Sequence, residues 1–120
     1  MANIYLDTNK VIDLVVRKPE LGVFLSDHHI YYSPLSAHIL FYAARIKVPS
    51  ADINNELNKL LCVNLGPRIL KRALLGPTKD LEDNIQLHSA AEVDCDIFLT
   101  SDKDLLKLGY FGKTKITDHV

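Results

Sequence analysis

The sequence predicts an α/β protein: a parallel sheet with helices on both faces. Three observations point there. Short apolar runs of strand length recur along the chain, each bounded by polar residues. Between them lie stretches whose apolar residues fall three and four apart, the spacing of a helix with one buried side. The 120 residues, 48% of them hydrophobic, supply a core for one domain spanning 1–120. No linker, repeat, low-complexity stretch or charge block divides the chain.

Asn3–Leu6 is short and apolar, as in a buried strand. Thr8 or Asn9 can cap the helix that follows, with Val11, Ile12, Leu14 and Val15 on its apolar side. Pro19 breaks it, and Leu21–Leu25 gives a short second helix. His29–Ser33 has the β-branched and aromatic content of a strand, with one of Tyr31 and Tyr32 facing the core and the other facing out. Pro34 starts a helix with Ile39, Leu40, Tyr42, Ala43 and Ile46 at helical spacing, ending before Pro49. Ser50 can cap another, carrying Ile53, Leu57, Leu60 and Leu61. Cys62–Leu65 reads as a short strand. Gly66-Pro67 opens a helix to about Leu74, and Gly76-Pro77 ends it. Thr78 or Asp80 caps the next, which runs to about Glu92. Asp96–Thr100 is a strand, Asp102–Leu108 a short helix closed by Gly109, and Lys113–Thr117 a last strand.

Composition bounds the function. The net charge of −1 argues against a strongly basic nucleic-acid coat, though not against a local basic rim. Cys62 and Cys95 lie neither in a CxxC pair nor at zinc spacing with histidine. They read as free thiols of a reducing, cytoplasmic setting, with a buried structural role. No apolar run reaches the ~20 residues of a membrane span, and Met1-Ala2-Asn3 lacks the basic start of a signal peptide.

Three aspartates carry the chemistry. Asp7 ends the run Ile4-Tyr5-Leu6. Asp102 follows the run Ile97-Phe98-Leu99-Thr100. Asp83 lies in the first turn of the helix that leads into that second run. In a parallel sheet, ligands bind beyond the carboxyl ends of the strands, so the fold delivers all three to one edge. Carboxylates brought together repel, and a divalent cation is their natural occupant. Mg²⁺ takes hard oxygen ligands and keeps several waters, which suits a few carboxylates and a phosphate. Each aspartate also has a plainer use: Asp7 at a strand end or helix cap, Asp83 in a capping box begun by Asp80, Asp102 as the cap of its short helix. Their joint placement is what points to a site.

Other groups are weaker candidates. His28, His29, His38, His88 and His119 include no pair at the i, i+4 spacing of a helical zinc site. Arg68, Lys71 and Arg72 read as a solvated helix face, with phosphate contact as the alternative. Lys103 and Lys107, one turn apart beside Asp102, are better placed to position a phosphate. Leu14, Val15, Val23 and Phe24 form an apolar stripe that is either core or a dimer face.

These residues resemble a known family. Ile4-Tyr5-Leu6-Asp7-Thr8-Asn9 is similar to the opening strand of PIN domains, the small nuclease fold of VapC-type toxins. Asp80-Leu81-Glu82-Asp83-Asn84-Ile85-Gln86 resembles the DxEDxxQ helix start of a PIN subgroup. Phe98 to Leu105 is similar to the strand, Thr-x-Asp and Asp-apolar pair of that family, and Lys115-Ile116-Thr117 to its closing strand. The resemblance spans essentially the whole chain. It implies a three-layer α/β/α sandwich and Mg²⁺- or Mn²⁺-dependent cleavage of RNA. For the toxin branch it also implies a homodimer and an antitoxin that blocks the site. Asp7, Asp83 and Asp102 then become the metal ligands and catalytic acids, with Asn9 and Thr100 in support and Asp104 near the rim. The chain departs from the family at one place. Where the family puts a glutamate on the helix after the second strand, Ser33-Pro34-Leu35-Ser36-Ala37-His38-Ile39 has Ile39, with His38 turned about 100° away. Glu82 could help from beside Asp83, though its direction differs by a similar angle. The expected function is therefore a metal-dependent ribonuclease, the toxin of a toxin–antitoxin pair. The alternative is a PIN-like domain that binds RNA or a protein without cleaving.

Overall fold

A computed structural model describes residues 1–120. The chain runs β1 (Asn3–Leu6), α1 (Thr8–Ile12), a π-helical turn (Asp13–Arg17), α2 (Leu21–Leu25), β2 (His29–Tyr32) and α3 (Pro34–Ala43). It continues through α4 (Ala51–Asn58), β3 (Leu61–Cys62), α5 (Pro67–Ala73), α6 (Leu81–Glu92) and β4 (Ile97–Leu99). α7 (Lys103–Leu108), β5 (Tyr110–Phe111) and β6 (Thr114–Thr117) complete it.

The six strands form one sheet in the order β3-β2-β1-β4-β6-β5. All neighbours are parallel except β5 and β6. The strand order reverses between β1 and β4: β2 and β3 build outward on one side, β4 and β6 on the other. Register places Tyr5 between Tyr31 and Phe98, and Leu6 beside Leu99.

Alternation along the strands feeds two apolar cores. Ile4, Leu6, Ile30, Tyr32 and Leu99 face one side, with Leu25 and Leu40 from the helices there. Tyr5, Phe98 and Ile116 face the other, with Ile69, Leu87 and Leu105. Tyr5 stacks on Phe98 with ring centroids 5.5 Å apart. Burying side chains of this size contributes about 1.5–3 kcal/mol each, which is why the central strands read as continuous apolar runs. With helices packed on both faces, the expected three-layer α/β/α sandwich is the architecture observed.

Several local expectations are revised. Asp7, rather than Thr8 or Asn9, caps α1: its side chain accepts the Thr8 N–H. Of Thr78 and Asp80, Asp80 caps α6. Ser50 holds the cap position of α4 without a side-chain hydrogen bond. The strand expected over Cys62–Leu65 is shorter and earlier, at Leu61–Cys62. β5 had no signal in the sequence, being a two-residue arm of a hairpin turning at Gly112, whose φ is +59°. Tyr31 is half-buried against the second core instead of facing out, because helices cover both faces. Cys62 is exposed on the edge strand, and only Cys95 is buried. No helix is long and apolar enough to cross a membrane.

Candidate metal centre

The end of β1 delivers Asp7 to the point where the strand order reverses. Its backbone N–H donates to the Leu99 carbonyl of β4 at 3.0 Å, so the two strand ends are locked together. The side chain is buried, and both its oxygens are held. Oδ1 accepts the Thr8 N–H at 2.8 Å and Oδ2 accepts the Thr100 hydroxyl at 2.7 Å. Thr100 is fully buried and is itself pinned to β6, its N–H donating to the Thr117 carbonyl.

The start of α6 delivers the next two acids. Asp80 caps the helix by accepting the Asp83 N–H at 3.0 Å. The cap is thus supplied from outside, and the Glu82 and Asp83 side chains are free of that duty. Asn84 anchors the turn before the helix: its amide donates to the Ala73 and Thr78 carbonyls, and its oxygen accepts from Thr78. Asp7, Glu82 and Asp83 each offer an oxygen, and these lie within 4.8 Å of one another.

Asp102 stands at the start of α7 and caps it. Its Oδ1 accepts the Asp104 N–H at 2.8 Å and the Leu105 N–H at 3.2 Å, and its own N–H donates to Thr100 Oγ1. It lies outside the 4.8 Å group, yet its charge acts on both Asp7 and Asp83. Thr100 therefore touches two of the three aspartates singled out in the sequence.

Glu82 is the member that sequence reasoning underused. Neighbouring helix residues diverge by about 100°, but at a first turn that faces a strand end both can lean into the same space. The signal was there in the adjacency of Glu82 and Asp83 after a dedicated cap, Asp80. Asn9 is exposed and makes no hydrogen bond to Asp7; its carbonyl accepts from Arg17 at 3.1 Å. Ile39 is half-buried and His38 exposed, and neither adds a ligand to the acidic group. Lys103 is exposed and unpaired, whereas Lys107 faces Asp104 at 4.0 Å. Arg68 and Arg72 both turn to Glu92, the solvated-face arrangement.

Burial and mutual repulsion raise the carboxyls of the acidic group. Burial pushes the Asp83 carboxyl up to about 7, reinforced by Asp80, Asp7, Asp102 and Glu82. Burial also raises Asp7, against the stabilising bonds from Thr100 and Thr8, and raises Glu82 against a hydroxyl contact from Thr8. None of the three acids forms an ion pair with a lysine, arginine or histidine. Crowded carboxylates without a cationic partner fit a hard divalent ion, and this donor set is all oxygen.

No family model matches the chain, and no curated protein matches it. Among solved structures, it is similar to a chain in the crystal structure of VapBC2 from Rickettsia felis bound to a DNA fragment from their promoter. The TM-score is 0.67 at 11% identity, over 96% of this chain and 97% of that one. At that identity the likeness carries the fold: the chain is an α/β/α sandwich of the same fold as that chain, with an acidic cluster at its strand-order reversal.

Proposed function

We propose that the protein is a PIN-type, Mg²⁺- or Mn²⁺-dependent ribonuclease, the toxin half of a toxin–antitoxin pair. The observation that carries this is the convergence of Asp7, Glu82 and Asp83, unpartnered by any basic side chain, at the reversal point of a PIN-like sheet. Asp7, Asp83 and Glu82 would hold the ion, with Asp102 beside them. When bound, it would supply charge stabilisation at phosphorus and acidify a water for attack. The chain's own residues prepare for this. Thr100 and Thr8 fix both Asp7 oxygens, so the carboxylate cannot rotate away. With its carboxyl raised to about 7, Asp83 is about half protonated near neutrality, and binding a cation would release that proton. Lys103, exposed in the first turn of α7, is placed to meet a backbone phosphate without reading sequence. The antitoxin partner belongs to the same reading, supported by the likeness to a VapBC2 chain, and the homodimer is proposed with it from the family resemblance alone.

A second reading rests on Ile39, which offers no oxygen where the resembling family has a glutamate. In it the pocket binds RNA or a protein partner and does not cleave. Incubation with mixed single-stranded RNA in Mg²⁺ and in Mn²⁺ separates the two, with Asp7→Asn, Ile39→Glu and a chelator alongside. Cleavage that vanishes in Asp7→Asn and with chelator supports a nuclease that manages without the glutamate. Silence from wild type with activity gained in Ile39→Glu supports binding alone, and silence from both removes the nuclease reading.

A further inference from the structure

Behind the acidic pocket lies a buried polar cluster that holding a cation does not by itself require. Gln86 is fully buried on α6, four residues after Glu82 and three after Asp83, on the same side of the helix. Its Nε2 donates to Thr8 Oγ1 at 3.0 Å and to Ser36 Oγ at 3.1 Å. Its Oε1 accepts from the Tyr5 hydroxyl. The Thr8 and Ser36 oxygens are 3.0 Å apart. One amide thus joins β1, α1, α3 and α6. A buried amide is costly unless fully satisfied, and here every buried side-chain polar atom has a partner. A leucine would fill such a position more simply if packing were all that was needed.

The proton count shows the cluster can be fully satisfied. A hydroxyl has one hydrogen to give. Thr8 Oγ1 accepts from Gln86, so its own hydrogen remains to be donated. Ser36 also accepts from Gln86 and can return its hydrogen to Thr8 or to Gln86 Oε1, 3.4 Å away. The Thr8 backbone N–H meanwhile holds Asp7. Thr8 thus ties the Gln86 amide to the first acid of the group.

We infer that Gln86 is a positioning residue of the metal centre: by donating to Thr8 and Ser36 and accepting from Tyr5 it braces α6 against the β1–α1 junction and α3, setting the spacing between Asp7 and the Glu82–Asp83 pair. This deepens the metal-centre reading and rests on it. Partners behind a ligand change metal affinity by about 10–100-fold.

Calorimetric titration of the full chain with Mn²⁺ tests it, using wild type, Asp83→Asn, Gln86→Met, Thr8→Val, Thr8→Ser and the Gln86→Met/Thr8→Val double variant, with melting temperatures recorded for each. Wild type binds and Asp83→Asn does not. Gln86→Met and Thr8→Val each weaken binding about 10-fold, the double variant is no weaker than either, because the two act in one chain, and Thr8→Ser restores affinity. Unchanged affinity in Gln86→Met, or losses that simply add, would overturn the inference and leave Gln86 an ordinary core residue. Should Gln86→Met fail to fold, the Thr8 pair decides: equal affinity of Thr8→Val and wild type overturns it. Mn²⁺ binding that depends on Asp83 but ignores Gln86 and Thr8 removes this inference alone. No Mn²⁺ binding by wild type removes the metal centre and this inference with it.

Discussion

The starts of α6 and α7 both bring acids to the pocket, and they dispose of them in opposite ways. At α6 the cap is Asp80, one step ahead of the helix, so Glu82 and Asp83 in the first turn remain available. At α7 the cap is Asp102 itself, its Oδ1 held by two backbone N–H groups. The carboxylates at α6 are crowded and pushed toward protonation. The carboxylate at α7 is already engaged and acts on the pocket through its charge. An acid near a helix start is therefore a free ligand or a cap according to whether another side chain has taken the capping role.

Substitution can break that contrast or sharpen it. The largest effect belongs to Asp83→Asn: Mn²⁺ affinity and RNA cleavage fall about 100-fold or more with the fold retained, measured by calorimetry and gel assay. The contrast breaks if Asp102→Asn does as much. Asparagine still caps, so Asp102→Asn should cost affinity about 10-fold or less, and it should lower the Asp83 carboxyl by removing a repelling charge. Next comes pH. The folded Asp83 binds its proton up to about 7, well above an unfolded carboxylate. The folded state therefore holds more protons across that window, and stability of the metal-free protein falls as pH rises through it. The loss between pH 5 and 8 is about 1 kcal/mol, discounted for partial exposure. Urea midpoints at several pH values measure it, and Asp83→Asn or saturating Mn²⁺ should flatten the curve. The smallest effects separate the caps: Asp80→Ala and Asp102→Ala each cost about 1 kcal/mol of stability, while the asparagine versions stay within about 0.5 kcal/mol. A thermal melt in which Asp102→Ala is silent would mean that its cap carries nothing.

Much of the frame was legible in the residues. Asn3–Leu6, Leu21–Leu25 and the helix to Glu92 lie where expected, because apolar period and flanking breakers coincide there. The acids at the ends of β1 and β4 lie at one edge because parallel strands deliver both there, and Thr100 bridges them. What stayed hidden depends on contacts far apart in sequence. β5 exists only as a partner of β6. Asp7 caps α1 as well as facing the pocket, a double role that a linear reading splits into alternatives. Glu82 joins the group through the angle at which α6 meets the sheet, and no residue spacing encodes that angle. The π-helical turn at Asp13–Arg17, tied by an Asp13–Arg17 ion pair at 3.0 Å, continues the expected helix with a wider winding that periodicity does not distinguish.

The bond from Thr100 to Asp7 spans 93 residues of sequence. β1, which ends just before Asp7, is made before both β4, its neighbour, and β6, the strand that pins Thr100. While the chain grows, Asp7 has its local Thr8 contact but neither Thr100 nor the β4 backbone beside it. Asp7 is therefore held on both of its oxygens only once Thr100 has been made. Polypeptides interrupted before Thr100 carry the first acid and its cap without the hydroxyl that holds its second oxygen.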